Sequence, residues 1–431
     1  MSQAPAEQRQ IERRGSLRPF TGFREWQLSL AACGCFFLII ASYNLLKPVR
    51  TSMVIATWGI RDLPLADVLS FGVMCALSHL YAALAKKLVP VRLVAAILAA
   101  GSMVLLLMLL CERYPGKVSS LLLYSFGSIV NLYAVMGFWS LTNAAHGRVA
   151  GMRRYGLIGA AGPAGGIAGA FAVNTIENLC SSSGLIVLSS LTLALAVPMA
   201  YLIRRNAVAD DWSGSLCRAS SSPLVDARVI TRSRTATLIL CLVLVMTISS
   251  SISDWVLTRL ASARDPHRSS VVAMLSTAYM HLGVVSLAMQ LILTTLLLRY
   301  ASLRYSLLML PCVAVLSSCL FSFNAAEPVM LGAAVVYMAT FYTVNQSAKE
   351  LLYTEHSPDI MYKAKNFIDT TFFRLGAMVG SSCVWLLVRY LGWDVPQLGL
   401  VLASLSCVWI FVVVVITRPS PLAASRHCIS P

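Results

Sequence analysis

Charged side chains are scarce in this sequence, and the few that interrupt its apolar runs define what chemistry it can do. Tyr43-Asn44-Leu45-Leu46-Lys47-Pro48-Val49-Arg50 closes the first run. Lys47 and Arg50 are three residues apart and share a helix face. Pro48, between them, removes a backbone donor and can kink the helix. Two cations on one face suit an anion such as a phosphate. The competing reading is that both snorkel to the membrane surface at the end of the span. Asp254-Trp255, near the end of the seventh run, can pair with a first-span cation, carry a proton, or sit at the interface beside an aromatic belt residue. Lys365, Asp369 and Arg374 open the eleventh run. Lys365 and Asp369, four apart, can pair on one face; Arg374 points elsewhere and needs a partner or a ligand. Glu350, Tyr353, Glu355, His356, Asp359, Tyr362 and Lys363 form a mixed-charge amphipathic stretch, either an interfacial linker or a gate.

Other chemistries lack their residues. The six His have no metal-ligand spacing, and no Ser-His-Asp or Gly-x-Ser-x-Gly arrangement occurs. The 12 Cys include no CxxC pair, and most lie inside apolar runs as small filler. The glycines Gly156, Gly159, Gly162, Gly165, Gly166 and Gly169 read as small-xxx-small helix packing; no Lys-Ser/Thr follows them, as a phosphate-binding loop requires. No enzyme, metal or cofactor is expected.

The elements that must position these residues follow from composition. The chain has 431 residues, 58% of them hydrophobic and 12% charged, with a mean hydropathy of +0.74. Soluble globular chains carry roughly 25% charged residues, which excludes a soluble enzyme, a disordered chain and a nucleic-acid-binding domain. Runs near the length that crosses a bilayer recur throughout. Twelve spans are read at 27–47, 64–84, 91–111, 118–141, 155–176, 184–203, 236–257, 271–298, 304–323, 328–347, 366–389 and 396–417. With these spans, twenty-four Lys and Arg fall on the side of the termini and seven on the other. That bias places both termini in the cytoplasm and accounts for the net charge of +16. The first 25 residues are polar and Arg-rich, so no cleavable signal peptide is expected. The polar segment 204–235 divides the chain into a cytoplasmic tail (1–26), a six-helix bundle (27–203), a cytoplasmic linker (204–235), a second six-helix bundle (236–417) and a tail (418–431). Lys87 and Arg92 after span two repeat as Arg299 and Arg304 after span eight. The expected fold is an all-α membrane protein of twelve transmembrane helices in two six-helix bundles, major-facilitator-like, with a cavity on the common axis near the midplane.

Three segments carry a resemblance. The first is Tyr43 to Arg50. The second is Asn131 to Ser140 followed by Arg153-Arg154-Tyr155-Gly156. The third runs from Lys349-Glu350-Leu351-Leu352-Tyr353-Thr354 through Tyr362-Lys363-Ala364-Lys365-Asn366-Phe367-Ile368-Asp369 to Arg374 and Gly376. Together they resemble the ATP/ADP translocase type of nucleotide transporter, found in plastids and obligate intracellular bacteria. The resemblance implies nucleotide exchange or uptake across a bacterial inner membrane, with Lys47 and Arg50 contacting substrate. The sequence departs from that family at Thr51, where an acid is expected, in Phe138 to Asn143, which holds no acid, and at Gln290 in span eight. It is also shorter than the nucleotide exchangers.

The expected activity is alternating-access transport of a nucleotide or related phosphorylated anion, of the ATP/ADP exchange type. The alternatives are carriage of another organic solute, with or without protons, and a non-transporting membrane partner. Lys47, Arg50 and Arg374 would bind the anion. Tyr43 and Trp139 would stack a base. Asp254, Asp369, Lys365 and Glu350 are the coupling or gating candidates. The bilayer and a small anionic substrate are the expected partners of a monomeric chain, with no nucleic acid.

Overall fold

The computed structural model describes residues 21–146, 148–176, 181–207, 233–263, 268–300, 302–354 and 368–417. Every element among them is helical. We number the helices by span. The first six are α1 (Thr21–Trp58), α2 (Leu63–Lys87), α3 (Pro90–Leu107, continued by Leu109–Arg113), α4 (Lys117–His146), α5 (Arg148–Ile176) and α6 (Ser182–Arg205). The second six are α7 (Arg234–Ala261), α8 (Arg268–Ala288 and Thr294–Tyr300 around a π turn), α9 (Leu303–Ser322), α10 (Glu327–Thr340 and Gln346–Thr354 around a π turn), α11 (Phe373–Tyr390, preceded by a π turn at Ile368–Phe372) and α12 (Val395–Ile416). Most of the expected linker and both expected tails lie outside the described residues.

Eleven helices are long and apolar enough to cross a membrane. The expected twelfth span, α11, falls outside that set. It carries Arg374 and Arg389 near its ends and Gly376, Gly380, Ser381 and Ser382 between them, which lowers its hydropathy.

The largest departure from the expected boundaries is α1. The reading at 27–47 stopped at the cations, but the helix continues for 38 residues, through Pro48. Pro48 removes only one intrahelical bond, and Val49 to Trp58 is again mostly apolar. Gly59 ends the helix, with φ of 86°, a conformation that favours glycine. Lys47 and Arg50 are therefore interior residues of a helix about 57 Å long. Both are buried against neighbouring helices, so surface snorkelling does not describe them. We call the side where α1 begins the near side and the side where it ends the far side.

Two large apolar cores form, one mainly from α1 and α3–α6 and one mainly from α7–α12, with two small clusters where α2 meets α4 and the end of α1. Their packing repeats. In the first half α1 packs on α4, α5 and α6, and α3 on α6; in the second α7 packs on α10, α11 and α12, and α9 on α12. The halves meet where α5 faces α8 and α2 faces α11, again a related pair, and where α1 touches α8.

Glycine permits the closest approaches. A Cβ on Gly169 of α5 would lie 2.5 Å from the Ala41 carbonyl oxygen of α1, and one on Gly380 of α11 would lie 2.9 Å from Cα of Ile248 on α7. Small residues let helices approach in lipid, where no hydrophobic force drives them together. Gly169→Val should therefore push α5 off α1 and destabilise the protein by about 1–3 kcal/mol. Gly156→Ala, which meets nothing within 4 Å, should change stability by less than about 0.5 kcal/mol. Thermal unfolding in detergent measures both, and equal melting temperatures would refute the packing role.

Candidate functional site

Lys47 lies eleven residues, about 16 Å, short of the far end of α1. It is 9% exposed. Its Nζ is 4.0 Å from Asp254 Oδ1 on α7, too long for a hydrogen bond, and 4.0 Å from the centroid of the Tyr279 ring on α8. No described residue hydrogen-bonds to this ammonium. Its compensation is therefore an ion pair and a cation–π contact, both reaching across to the other bundle. Asp254 keeps 38% of its side chain exposed.

Arg50 is held differently. It is 3% exposed, and its guanidinium donates from Nη1 to the Tyr124 carbonyl oxygen at 2.8 Å and to Ser128 Oγ, and from Nη2 to Tyr43 Oη at 2.8 Å. The guanidinium lies 4.3 Å from the Tyr124 ring centroid and 5.2 Å from that of Tyr43. These partners all belong to its own half. Arg50 Nε is buried without a hydrogen-bond partner. The Tyr124 hydroxyl in turn donates to Asp67 Oδ1 on α2 at 2.5 Å.

Tyr342, in the π turn of α10, is 51% exposed yet lies within Coulombic range of Lys47, Asp254, Tyr43 and Tyr279. A surface that α1, α7 and α8 all face is interior space between the bundles, not lipid. The arrangement is thus a polar cleft in the far half of the protein. It is lined by Lys47, Arg50, Asp254 and several phenols, with Asp67 reached only through the Tyr124 hydroxyl, and spare N–H donors remain on Lys47 and Arg50.

The other sequence candidates lie elsewhere. Arg374 is 6% exposed and points from α11 across to α4, with Nη2 3.2 Å from Met136 Sδ and its guanidinium 5.9 Å from the Tyr133 ring centroid. No described carboxylate lies within 4.0 Å of it. Asp369 receives hydrogen bonds from Lys349 Nζ at 3.0 Å and Tyr353 Oη at 3.3 Å. The partner expected from spacing, Lys365, lies outside the described residues. Glu350 is half-buried beside this pair on α10. Trp139 makes edge-type ring contacts with Phe36, Phe138 and Tyr155 inside the first half, apart from Lys47 and Arg50. Among the described residues no group of His, Cys, Asp and Glu could hold a metal.

Sequence reasoning missed Asp67, Tyr124, Tyr279 and Lys349. Asp67 had a usable signal, as an acid inside an apolar run. Lys349 was read as loop because α10 continues to Thr354. The tyrosines gave none.

The cross-bundle polar contacts among the described residues include a group on the far side. Arg268 of α8 donates to Glu112 at 2.7 Å. Asp62 faces Arg389 at 3.7 Å and accepts from Trp385 Nε1 at 3.1 Å. Trp255 Nε1 donates to the Ile60 carbonyl at 3.2 Å. These fasten α7, α8 and α11 to the first half at one membrane face.

Two paired six-helix halves closed at one face place the chain among known architectures. Crystal structures of the nucleoside transporter NupG match it. A point mutant aligns with TM-score 0.63 and 14% identity, covering 91% of this chain and 100% of that one. Another NupG structure gives 0.60 and 13% over the same shares. The chain has the major facilitator fold. No family model matches the sequence, and no curated protein does. The fold is therefore carried by structure alone, and the ATP/ADP translocase family is not confirmed.

In a major facilitator fold the far-side contacts must part for that face to open. Glu112→Gln with Asp62→Asn should add a longer component to the distance between spin labels at Tyr114→Cys and Tyr390→Cys, in a background free of native cysteines. An unchanged distribution, read by electron–electron double resonance, would show that these pairs do not hold the face shut.

Proposed function

We propose that the protein is an alternating-access carrier of a small organic anion, of the nucleotide or phosphorylated nucleoside class. One observation carries this reading. Lys47 and Arg50, buried in the middle of α1, keep donors that no described residue satisfies. A charged group inside a span costs about 2.5–3.5 kcal/mol on the insertion scale, and such groups line substrate paths. An anion entering the cleft would meet Lys47 Nζ, and would reach the buried Arg50 Nε only as the surrounding side chains give way. Tyr43, Tyr279 and Tyr342 offer aromatic faces to a base. Arg374, in the near half, would meet the anion as it leaves toward that side. Exchange of the ATP/ADP type is the finer form of this reading, and it rests on the sequence resemblance.

A second reading has its own support. The structurally similar NupG is a nucleoside transporter, and a neutral nucleoside would use the phenols and leave the cations to Asp254 and Tyr124. Both termini in the cytoplasm, on the charge bias, and a bacterial inner membrane, on the sequence resemblance, belong to the same proposal, as does a monomeric state.

Counterflow in proteoliposomes with labelled uridine, adenosine, AMP and ADP separates the readings. The anion reading predicts uptake of AMP or ADP. It also predicts that Lys47→Gln or Arg50→Gln weakens their apparent affinity about tenfold or more, the scale of a hydrogen bond to a charged group, with folded yield falling less. Uptake of the nucleosides alone, indifferent to Lys47→Gln, would establish the neutral reading.

A further inference from the structure

We propose that Asp67 is the proton-coupling residue of this carrier, and that it acts on the anion site through Tyr124 and Arg50. The proposal rests on the carrier reading above.

Three acids lie in or at the spans around these sites. Asp254 is 4.0 Å from Lys47, and Asp369 is 3.0 Å from Lys349. Asp67 has no Lys or Arg nitrogen within 4.0 Å among the described residues. Its partner is a phenol, the Tyr124 hydroxyl at 2.5 Å. A proton can therefore sit on Asp67 without breaking an ion pair.

Asp67 is nevertheless wired to the site. Tyr124 holds Arg50 twice, through its carbonyl oxygen and beneath its ring, while its hydroxyl holds Asp67. Arg50 has no carboxylate in contact, and Asp67 is among the negative charges within its Coulombic range. Neutralising Asp67 removes that compensation and leaves Arg50 to be met by the substrate anion. Proton and anion then favour each other's binding, and linkage makes the effect reciprocal.

Position supplies the access. Asp67 lies five residues along α2 from Asp62, which holds the far-side contact with Arg389 and Trp385. Parting that contact uncovers Asp67 from the far side. The surrounding charges are accounted for. From α4 it meets Tyr124, and within Coulombic range lie Lys47 and Arg50 on α1 and Asp254 on α7. On α11, Arg389 is engaged by Asp62, and Asp369 and Arg374 sit at the opposite end. In each cycle a proton from far-side water adds to a carboxylate oxygen of Asp67 while Tyr124 keeps its own. After the anion leaves on the near side, the acid ionises and its proton passes to near-side water. No other bond is made or broken.

The test uses the full chain in proteoliposomes, with the same four labelled solutes. Counterflow without a pH gradient reads the carrier; accumulation driven by a gradient acid on the far side, with a trapped pH dye, reads the coupling. Wild type should show both, with the dye reporting proton entry alongside solute. Asp67→Asn should lose at least tenfold in gradient-driven accumulation and abolish the dye signal, while counterflow falls by no more than a few-fold. Wild-type counterflow without gradient-driven accumulation would overturn the proposal and leave the carrier standing, as would full coupling in Asp67→Asn. No counterflow with any of the four solutes would overturn both. Infrared difference spectra between acid and neutral pH need no substrate and serve if Asp67→Asn is poorly folded. A titrating carboxyl C=O band should shift in Tyr124→Phe, and an unshifted band would overturn the link to Arg50.

Discussion

A cation inside an apolar helix bundle must find opposite charge, hydrogen-bond acceptors or aromatic faces, because water is not there to supply them. Helix α1 carries two, and the rest of the structure is arranged around meeting them. Arg50 is met within its own half, by Tyr43, Tyr124 and Ser128. Lys47 is met across the divide, by Asp254 and Tyr279. In the alternating-access cycle proposed above, the two cations would therefore respond differently as the halves rock. Arg50 moves as a fixed part of the first half. Lys47 loses or changes its compensation with every change of relative position. A ligand anion can take over from Asp254 at the moment it is needed, which is how a differential interaction biases one state over another.

The packing divides in the same way. Inside each half, α1 on α5 and α7 on α11 approach so closely that a methyl group would collide with backbone. Interiors packed to that density move as units. Between the halves, the far-side fastening is a few polar contacts, with Arg389 still 52% exposed and Arg268 29%. The ion pair at the exposed Arg389 is worth about 0–1 kcal/mol. Along α5 and α8 the halves also pack closely, a Cβ on Gly283 lying 2.8 Å from Ile167 Cγ1, so an apolar seam joins them beside these polar contacts. In the alternating-access cycle proposed above, the far-side contacts are the ones that part.

Most of the fold was legible because the bilayer imposes a length and a hydropathy that a sequence must display. Twelve runs became twelve helices, and the small-residue spacing of α5 became its contact with α1. The boundary that failed was functional. Lys47-Pro48-Val49-Arg50 reads as an exit from the membrane because two cations and a proline together normally end a span. Here the apolar sequence resumes and the helix continues to Gly59. Charged candidates could be found as exceptions to apolar pattern, but their partners could not. Tyr124 and Tyr279 look like any span tyrosine until three helices place them. Lys349 reaches Asp369 because the end of α10 stays helical beside the π turn that opens α11.

Fold and chemistry constrain the function from different directions. The major facilitator fold fixes two halves and a cleft between them, and hosts many solutes. At 14% identity it transfers nothing about which one. The choice rests on donors left over inside the cleft. A neutral nucleoside would leave the Lys47 ammonium with one long ion pair and no hydrogen bond to a described residue, and Arg50 Nε buried without an acceptor. Each of those is a cost that a carrier of neutral solutes could shed by replacing the residue with an uncharged one. An anion removes both costs by binding. Retention of two incompletely satisfied cations on one face of the central helix is therefore better explained by a substrate that carries negative charge.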